Sequence, residues 1–279
     1  MHPILFQAGV VTVYTYGVLV ATGVVLGLLY ARRQAARRGL PPRDVWNLGI
    51  YMIFSALIVS KLWLVVTNWD YYAANRSEIF SVTLLQSGGT FYGGVLGAVL
   101  AILVYSRARS WPLLPVFDIS AGALPLAHAI GRLGCFAAGC CFGKATALPW
   151  GVTFTDPEAA RLAGTPLGVP LHPTQLYEAA AEFLNFLLLV WLGGRQRFGG
   201  EILGTYFILY GTERGVIEFF RGDPGRTLMF HGSVSLMQVV SVGLVIGGCF
   251  LWWRGLRQGS ASFAGTTQTP NPSVAGAAE

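Results

Sequence analysis

Residues 113–144 read LLPVFDISAGALPLAHAIGRLGCFAAGCCFGK, and the break inside this stretch decides the fold. The first half is an apolar run that predicts a membrane-spanning helix over about residues 113–131. The second half abruptly supplies His128, Arg132, three of the four cysteines and glycines at 131, 134, 139 and 143. An arginine where a greasy helix meets polar chain costs roughly 3 kcal/mol unless its charge finds a partner. The glycines let backbone approach backbone or ligand closely. Together these features read as an anion site at a membrane interface.

Working outward, the 279-residue chain is 53% hydrophobic and only 11% charged, whereas a soluble domain carries about a quarter charged residues. The apolar runs are long and do not alternate, so the fold class is an all-α, polytopic integral membrane protein. Seven spans are expected, over residues 12–31, 45–66, 89–105, 113–131, 175–193, 201–219 and 232–253. The net charge of +6 does not point to nucleic acid, because the arginines fall in short clusters between apolar runs. Five stand between the first two spans; Arg107 and Arg109, Arg195 and Arg197, and Arg254 and Arg257 follow later spans. Alternating spans put all four clusters on one side, the cytoplasmic one, with the N-terminus outside and the C-terminus cytoplasmic. Trp63, Trp69, Tyr71 and Tyr72 would anchor the outer interface, and Trp252 and Trp253 the inner one. The organisation expected is one membrane domain over residues 1–257 with an outward-facing segment at 132–174. Residues 258–279, rich in Ser, Thr, Ala, Gly, Pro and Asn, form a disordered tail in this reading. The opening residues lack a basic region ahead of the apolar stretch, so no cleavable signal peptide is read there.

Polar residues inside the spans narrow the function. Tyr16 is either an interface anchor or a site residue. Lys61 either snorkels or finds a buried partner. The glycine run at 88, 89, 93, 94 and 97 reads as small-residue helix packing, and its pairs flanking Tyr92 also suggest an entrance for a lipid head group. His128 lies one turn before Arg132 on the same helix face. Tyr210, Arg214 and Glu218 follow at i, i+4 and i+8 and line one face. Two arginines from different helices, 132 and 214, make a clamp for a lipid phosphate, which guanidinium recognises in bidentate fashion. Residue chemistry alone thus leads to a phospholipid-handling site.

Gly131-Arg-Leu-Gly-x-Phe136 with Gly139 and Gly143, Tyr16-Gly17, His172-Pro-Thr-Gln-Leu-Tyr-Glu178 and Tyr210-Gly-x-x-Arg-x-x-x-Glu-Phe-Phe-Arg221 occur in this order. They resemble the motifs of the prolipoprotein diacylglyceryl transferase family over residues 10–255. The resemblance implies an enzyme of the bacterial cytoplasmic membrane that moves the diacylglyceryl group of phosphatidylglycerol onto the lipobox cysteine thiol of a prolipoprotein signal peptide. Glycerol phosphate leaves, and no cofactor or metal is implied. Arg132 and Arg214 match the family's essential arginines; Tyr16, Tyr210, Glu218, Gly134, Gly139 and Gly143 also match family positions. His172 and Gln175 fall in the third motif and are taken as substrate-binding. The chain departs from the family pattern at Tyr92 (usually histidine), Cys135 (usually asparagine) and Cys140 (usually glutamate). The expectation is therefore that His128 takes over part of the base's work while Tyr92 hydrogen-bonds the head group.

Cys135, Cys140 and Cys141 admit three readings: small packed residues, a structural disulfide, or a redox or catalytic group. Their C-x4-C-C spacing lacks paired C-x2-C units and argues against zinc. Two other functions stay open at this point. One is a diacylglyceryl transferase with a different acceptor; the other is a membrane thiol–disulfide oxidoreductase built on the cysteine trio. A transporter would tend to show repeated halves, and the sequence has no internal repeat.

Overall fold

A computed structural model describes residues 2–9, 11–81, 84, 89–224, 226–229 and 233–258. The chain is mostly helical, with long helices at Thr15–Arg37 (α1), Pro42–Thr67 (α2), Phe91–Ala108 (α4), Leu113–Ala138 (α5), Thr174–Gly193 (α7), Glu201–Ile217 (α8) and Leu236–Gln258 (α9). Shorter helices lie at Trp69–Ala74 (α3) and Pro157–Ala163 (α6). Six of the long helices have the length and apolar composition to cross a membrane. The exception is α8, whose 17 residues include Glu201, Glu213 and Arg214. Three two-stranded antiparallel hairpins accompany the helices: Ile4–Ala8 with Val11–Tyr14, Val152–Thr153 with Pro170–Leu171, and Leu228–Met229 with Val234–Ser235.

Helix boundaries correct the sequence reading at two places. The first helix begins at Thr15 rather than near residue 12, because Val11–Tyr14 pairs back onto Ile4–Ala8. The fourth long helix runs on to Ala138, so Arg132 and Cys135 are helical and the segment expected to face outward starts after them. Gly139 then takes φ +81°, the left-handed conformation that stops a helix and that glycine adopts without a Cβ penalty. In the segment that follows, α6 shows each local signal of a short helix. Asp156 accepts from the Glu158 N–H at 2.9 Å, Pro157 fills the first turn, and Gly164 closes the end at φ +66°. The tail at 258–279 lies outside the described residues apart from Gln258.

The chain divides into two compact units, Met1–Tyr30 with Asp118–Glu279, and Ala31–Phe117. In the second unit α2 packs on α4 through its glycines. A Cβ on Gly97 would meet the Ser55 carbonyl at 2.4 Å, and one on Gly93 would meet Ser60 Cα at 2.7 Å. Close packing of small residues therefore accounts for the glycine run where it is described. Lys61 donates to the Leu84 carbonyl at 2.8 Å, the buried-partner alternative. Tyr51, Phe54, Leu57, Ile58, Leu62 and Val66 of α2 are exposed, as on a lipid-facing helix. In the first unit α8 packs on α9 in the same manner. A Cβ on Gly211 would lie 2.7 Å from the Ser241 carbonyl, and one on Gly248 would lie 2.5 Å from that of Gly204.

Candidate active site

The residues with chemistry gather in the first unit, where α5, α7 and α8 bring an ionic network into an apolar interior. Arg132 on α5 donates from Nη2 to Glu178 Oε1 on α7 at 2.7 Å and from Nε to His128 Nε2 at 3.2 Å. An arginine N–H can only donate, so Nε2 of His128 presents its lone pair to Arg132 and the ring proton sits on Nδ1. Nδ1 faces Glu182 Oε1 at 2.5 Å, and the same oxygen accepts from the Tyr206 hydroxyl at 3.2 Å. The result is a carboxylate–imidazole pair whose free nitrogen is covered by a guanidinium. The second carboxylate oxygen of Glu182 is buried without a hydrogen-bond partner among the described residues.

The predicted i, i+4 arithmetic on α8 holds, although the helix ends at Ile217 and Glu218 opens a 3₁₀ turn. Arg214 Nη1 lies 2.7 Å from Glu218 Oε2, an ion-pair contact whose angles fall short of a hydrogen bond. Glu218 Oε1 accepts from Arg226 Nε at 2.7 Å, so one buried carboxylate holds two arginines. Tyr210 ties the two arginine groups together: its hydroxyl is within electrostatic reach of Glu178, Arg214, Arg132 and Glu182. Its ring meets His128 edge-on at 5.7 Å and stacks on Tyr206 at 5.6 Å.

Beyond this core the other predicted residues divide into neighbours and scaffolding. Tyr16 lies against Gly134, whose added Cβ would meet Tyr16 Cδ2 at 3.2 Å, and interacts electrostatically with the cysteines and Arg132. The spaces at Gly139 and Gly143 are filled by the protein itself. A Cβ there would meet Ala159 at 2.7 Å and His172 at 2.5 Å respectively. His172 stacks edge-on against Phe220 at 5.2 Å and takes part in a 3.2 Å contact with the Tyr177 hydroxyl. Gln175 is buried and donates to the Cys140 carbonyl at 2.7 Å. Tyr92 belongs to the other unit, in the first turn of α4, with its ring edge-on to Phe91 at 5.8 Å. Arg221 makes two 2.6 Å hydrogen bonds to Asp223. Burial opposes its charge, but those bonds, with Cys141 and Asp223 adding, leave its pKa above the ordinary arginine value.

Sequence reasoning assigned no role to Glu178, Glu182 or Arg226. A signal existed for the first two: carboxylates four residues apart in an otherwise apolar span need partners. Arg226 offered none, because it reaches Glu218 from a loop.

A family model described as prolipoprotein diacylglyceryl transferase matches residues 3–254. The phosphatidylglycerol–prolipoprotein diacylglyceryl transferase of Clostridioides difficile is 36% identical over 249 residues, covering 89% of this chain and 93% of its own. Its counterpart from Clostridium tetani is 31% identical, covering 90% and 97%. That of Geobacillus kaustophilus is 34% identical, covering 89% and 90%.

Proposed function

This chain belongs to the prolipoprotein diacylglyceryl transferase family, and on that premise we propose that it transfers the diacylglyceryl group of phosphatidylglycerol to the lipobox cysteine thiol of a prolipoprotein signal peptide. The alternatives read from the sequence gain no support from the relatives, whose names all describe the transferase. The cysteine's sulfur forms a bond to the terminal glyceryl carbon, the carbon–oxygen bond to phosphate breaks, and glycerol phosphate departs with the bonding pair. The thiol proton needs an acceptor, since a cysteine with a pKa of about 8.5 is mostly protonated at neutral pH.

The observation that carries this reading is the chain of contacts Arg132–His128–Glu182. A lipid phosphate attracts the Arg132 guanidinium by charge and bidentate geometry. Once Arg132 turns to the phosphate, Nε2 of His128 is released as a base, and Glu182 stabilises the imidazolium that forms when it takes the thiol proton. Binding of the donor thereby switches on deprotonation of the acceptor. Arg214, held by Glu218 and positioned beside Tyr210, supplies the second cation for the phosphate that leaves. Tyr92 and Tyr16 are assigned to the lipid head group, His172 and Gln175 to the walls of the substrate site, and glycines 134, 139 and 143 to its shape.

We place the enzyme in the bacterial cytoplasmic membrane as one multi-pass domain over residues 1–257. It has seven spans, its N-terminus outside, and its 258–279 tail cytoplasmic. The test is transfer in vesicles. Purified protein in phosphatidylglycerol vesicles should convert a lipobox peptide to its diacylglyceryl thioether and release one glycerol phosphate per thioether. Arg132→Ala should abolish both products. A correctly inserted wild-type protein that forms no thioether would sink the reading.

A further inference from the structure

Three of the four cysteines meet where α5 ends. The Sγ atoms of Cys135, Cys140 and Cys141 all lie within 4.8 Å of one another. Sequence spacing alone argued against a metal, but the turn removes that objection by folding positions 140 and 141 back over 135. The turn is held at some cost. Cys141 takes φ +60°, a left-handed conformation that disfavours a non-glycine residue by about 1–2 kcal/mol. Its carbonyl accepts from Thr174 Oγ1 at 2.8 Å, and that of Cys140 from Gln175 Nε2 at 2.7 Å. Both donors are about 1% exposed. These two buried hydrogen bonds fix the turn that brings the three sulfurs together.

Charge and distance fit the same use. Arg132 Nη1 lies 4.0 Å from Cys135 Sγ, and Arg132 and Arg221 both interact electrostatically with Cys141. Two guanidinium groups, already paired with Glu178 and Asp223, thus also place positive charge beside the sulfurs. A zinc–sulfur bond of about 2.3 Å places sulfurs around one ion roughly 3.8–4.0 Å apart, so the trio could close on an ion with sulfur shifts of about 1 Å or less. We propose that Cys135, Cys140 and Cys141 bind one thiophilic d10 cation, with Zn(II) as the reference ion, through three thiolates. Soft sulfur ligands select such ions over Mg(II) or Ca(II). Among the described residues no fourth histidine, cysteine or carboxylate joins the group. The fourth position is accordingly open to water or to an incoming thiol. Binding releases the thiol protons to solvent.

The experiment uses the full-length, reduced protein in detergent, titrated anaerobically with Co(II) and then Zn(II). One equivalent of Co(II) should bring up a sulfur-to-cobalt charge-transfer band that Zn(II) erases. Cys135→Ser, Cys140→Ser and Cys141→Ser should each weaken Co(II) binding at least tenfold, whereas Cys249→Ser, at an exposed position on α9, should leave it unchanged. Thiol alkylation of the wild type provides a reading independent of whether the serine variants fold: one equivalent of Zn(II) should protect three thiols and leave Cys249 reactive. The proposal is overturned if the reduced protein binds no Co(II) or if binding survives in folded trio variants. It is equally overturned if Zn(II) protects none of the three or if two of them are found joined as a disulfide after reduction.

Discussion

At the residue scale, both ring nitrogens of His128 face charged groups. Nδ1 is committed to Glu182, while Nε2 accepts from Arg132 and lies 3.4 Å from Glu178 Oε1, so in the proposed mechanism removal of the ring removes the base and leaves both proposed phosphate-binding arginines. His128→Ala should lower kcat by about 10²–10⁴-fold, the range usual for a general base, with KM for phosphatidylglycerol little changed. Glu182→Gln keeps the shape but loses the charge that stabilises the imidazolium. Its expected effect is a fall in kcat of about tenfold or more, again without a matching rise in KM. A KM-only effect in either variant would move His128 out of the chemistry and into donor binding. Arg132→Lys tests the arginine differently. Lysine retains one positive charge but cannot hold Glu178, His128 and a phosphate through a planar fork. Steady-state transfer by this variant should fall by about 10²-fold or more, comparable to loss of one preorganised donor.

At the scale of elements, a single carboxylate in α5 governs the start of α8. Asp118, 1% exposed, accepts from Gly200 N at 2.7 Å and Leu203 N at 2.9 Å, and from Gln196 Nε2 at 2.6 Å. It caps a helix N-terminus from another helix, where first-turn N–H groups otherwise lack acceptors. Asp118→Ala would strand these buried donors, and thermal unfolding in detergent should show a loss of about 2–3 kcal/mol. Glycine packing in α4 gives a paired control. Gly97→Ala collides with the Ser55 carbonyl and should destabilise by about 1–3 kcal/mol, whereas Gly94→Ala, whose nearest contact is at 4.0 Å, should be tolerated.

These elements also show what could be read in advance. The long apolar runs announced every long helix, and the i, i+4 pair Arg214–Glu218 was legible because helix geometry is local. Asp118 was not legible as a cap, because its acceptor role depends on the 196–203 turn arriving from far along the chain. The same limit hid Arg226; for Cys135, Cys140 and Cys141 the spacing left a disulfide open but could not show that all three sulfurs meet. Gly139 and Gly143 were legible as special positions, yet nothing local indicated that protein atoms fill the space beside them.

For the whole molecule, the number of crossings depends on α8. Its 17 residues rise about 26 Å at 1.5 Å each, short of the roughly 30 Å of a hydrocarbon core. Its charges lower its hydropathy, but they are not presented to lipid. Glu213 accepts from Asn185 at 2.6 Å, Arg214 pairs with Glu218, and Glu201 is fully buried, accepting from the Arg197 side chain at 2.8 Å. A helix whose ions are satisfied inside the protein can cross despite a composition that fails on its own. An odd number of crossings puts the two ends on opposite sides, and an even number puts them together. Seven spans with arginine clusters inside therefore predict that a fluorescent protein fused after Gln258 folds and fluoresces in the cytoplasm. The same reading predicts that a maleimide reagent unable to cross the membrane labels a cysteine introduced at Gln7 in intact cells, provided the outer membrane, where present, is permeabilised. It should also label a cysteine placed at Leu167, which is 39% exposed in the loop after α6. If the C-terminal fusion fluoresces and neither site is labelled until the cells are lysed, both ends share the cytoplasm, α8 does not cross, and the ionic site on it must be reached from the other face.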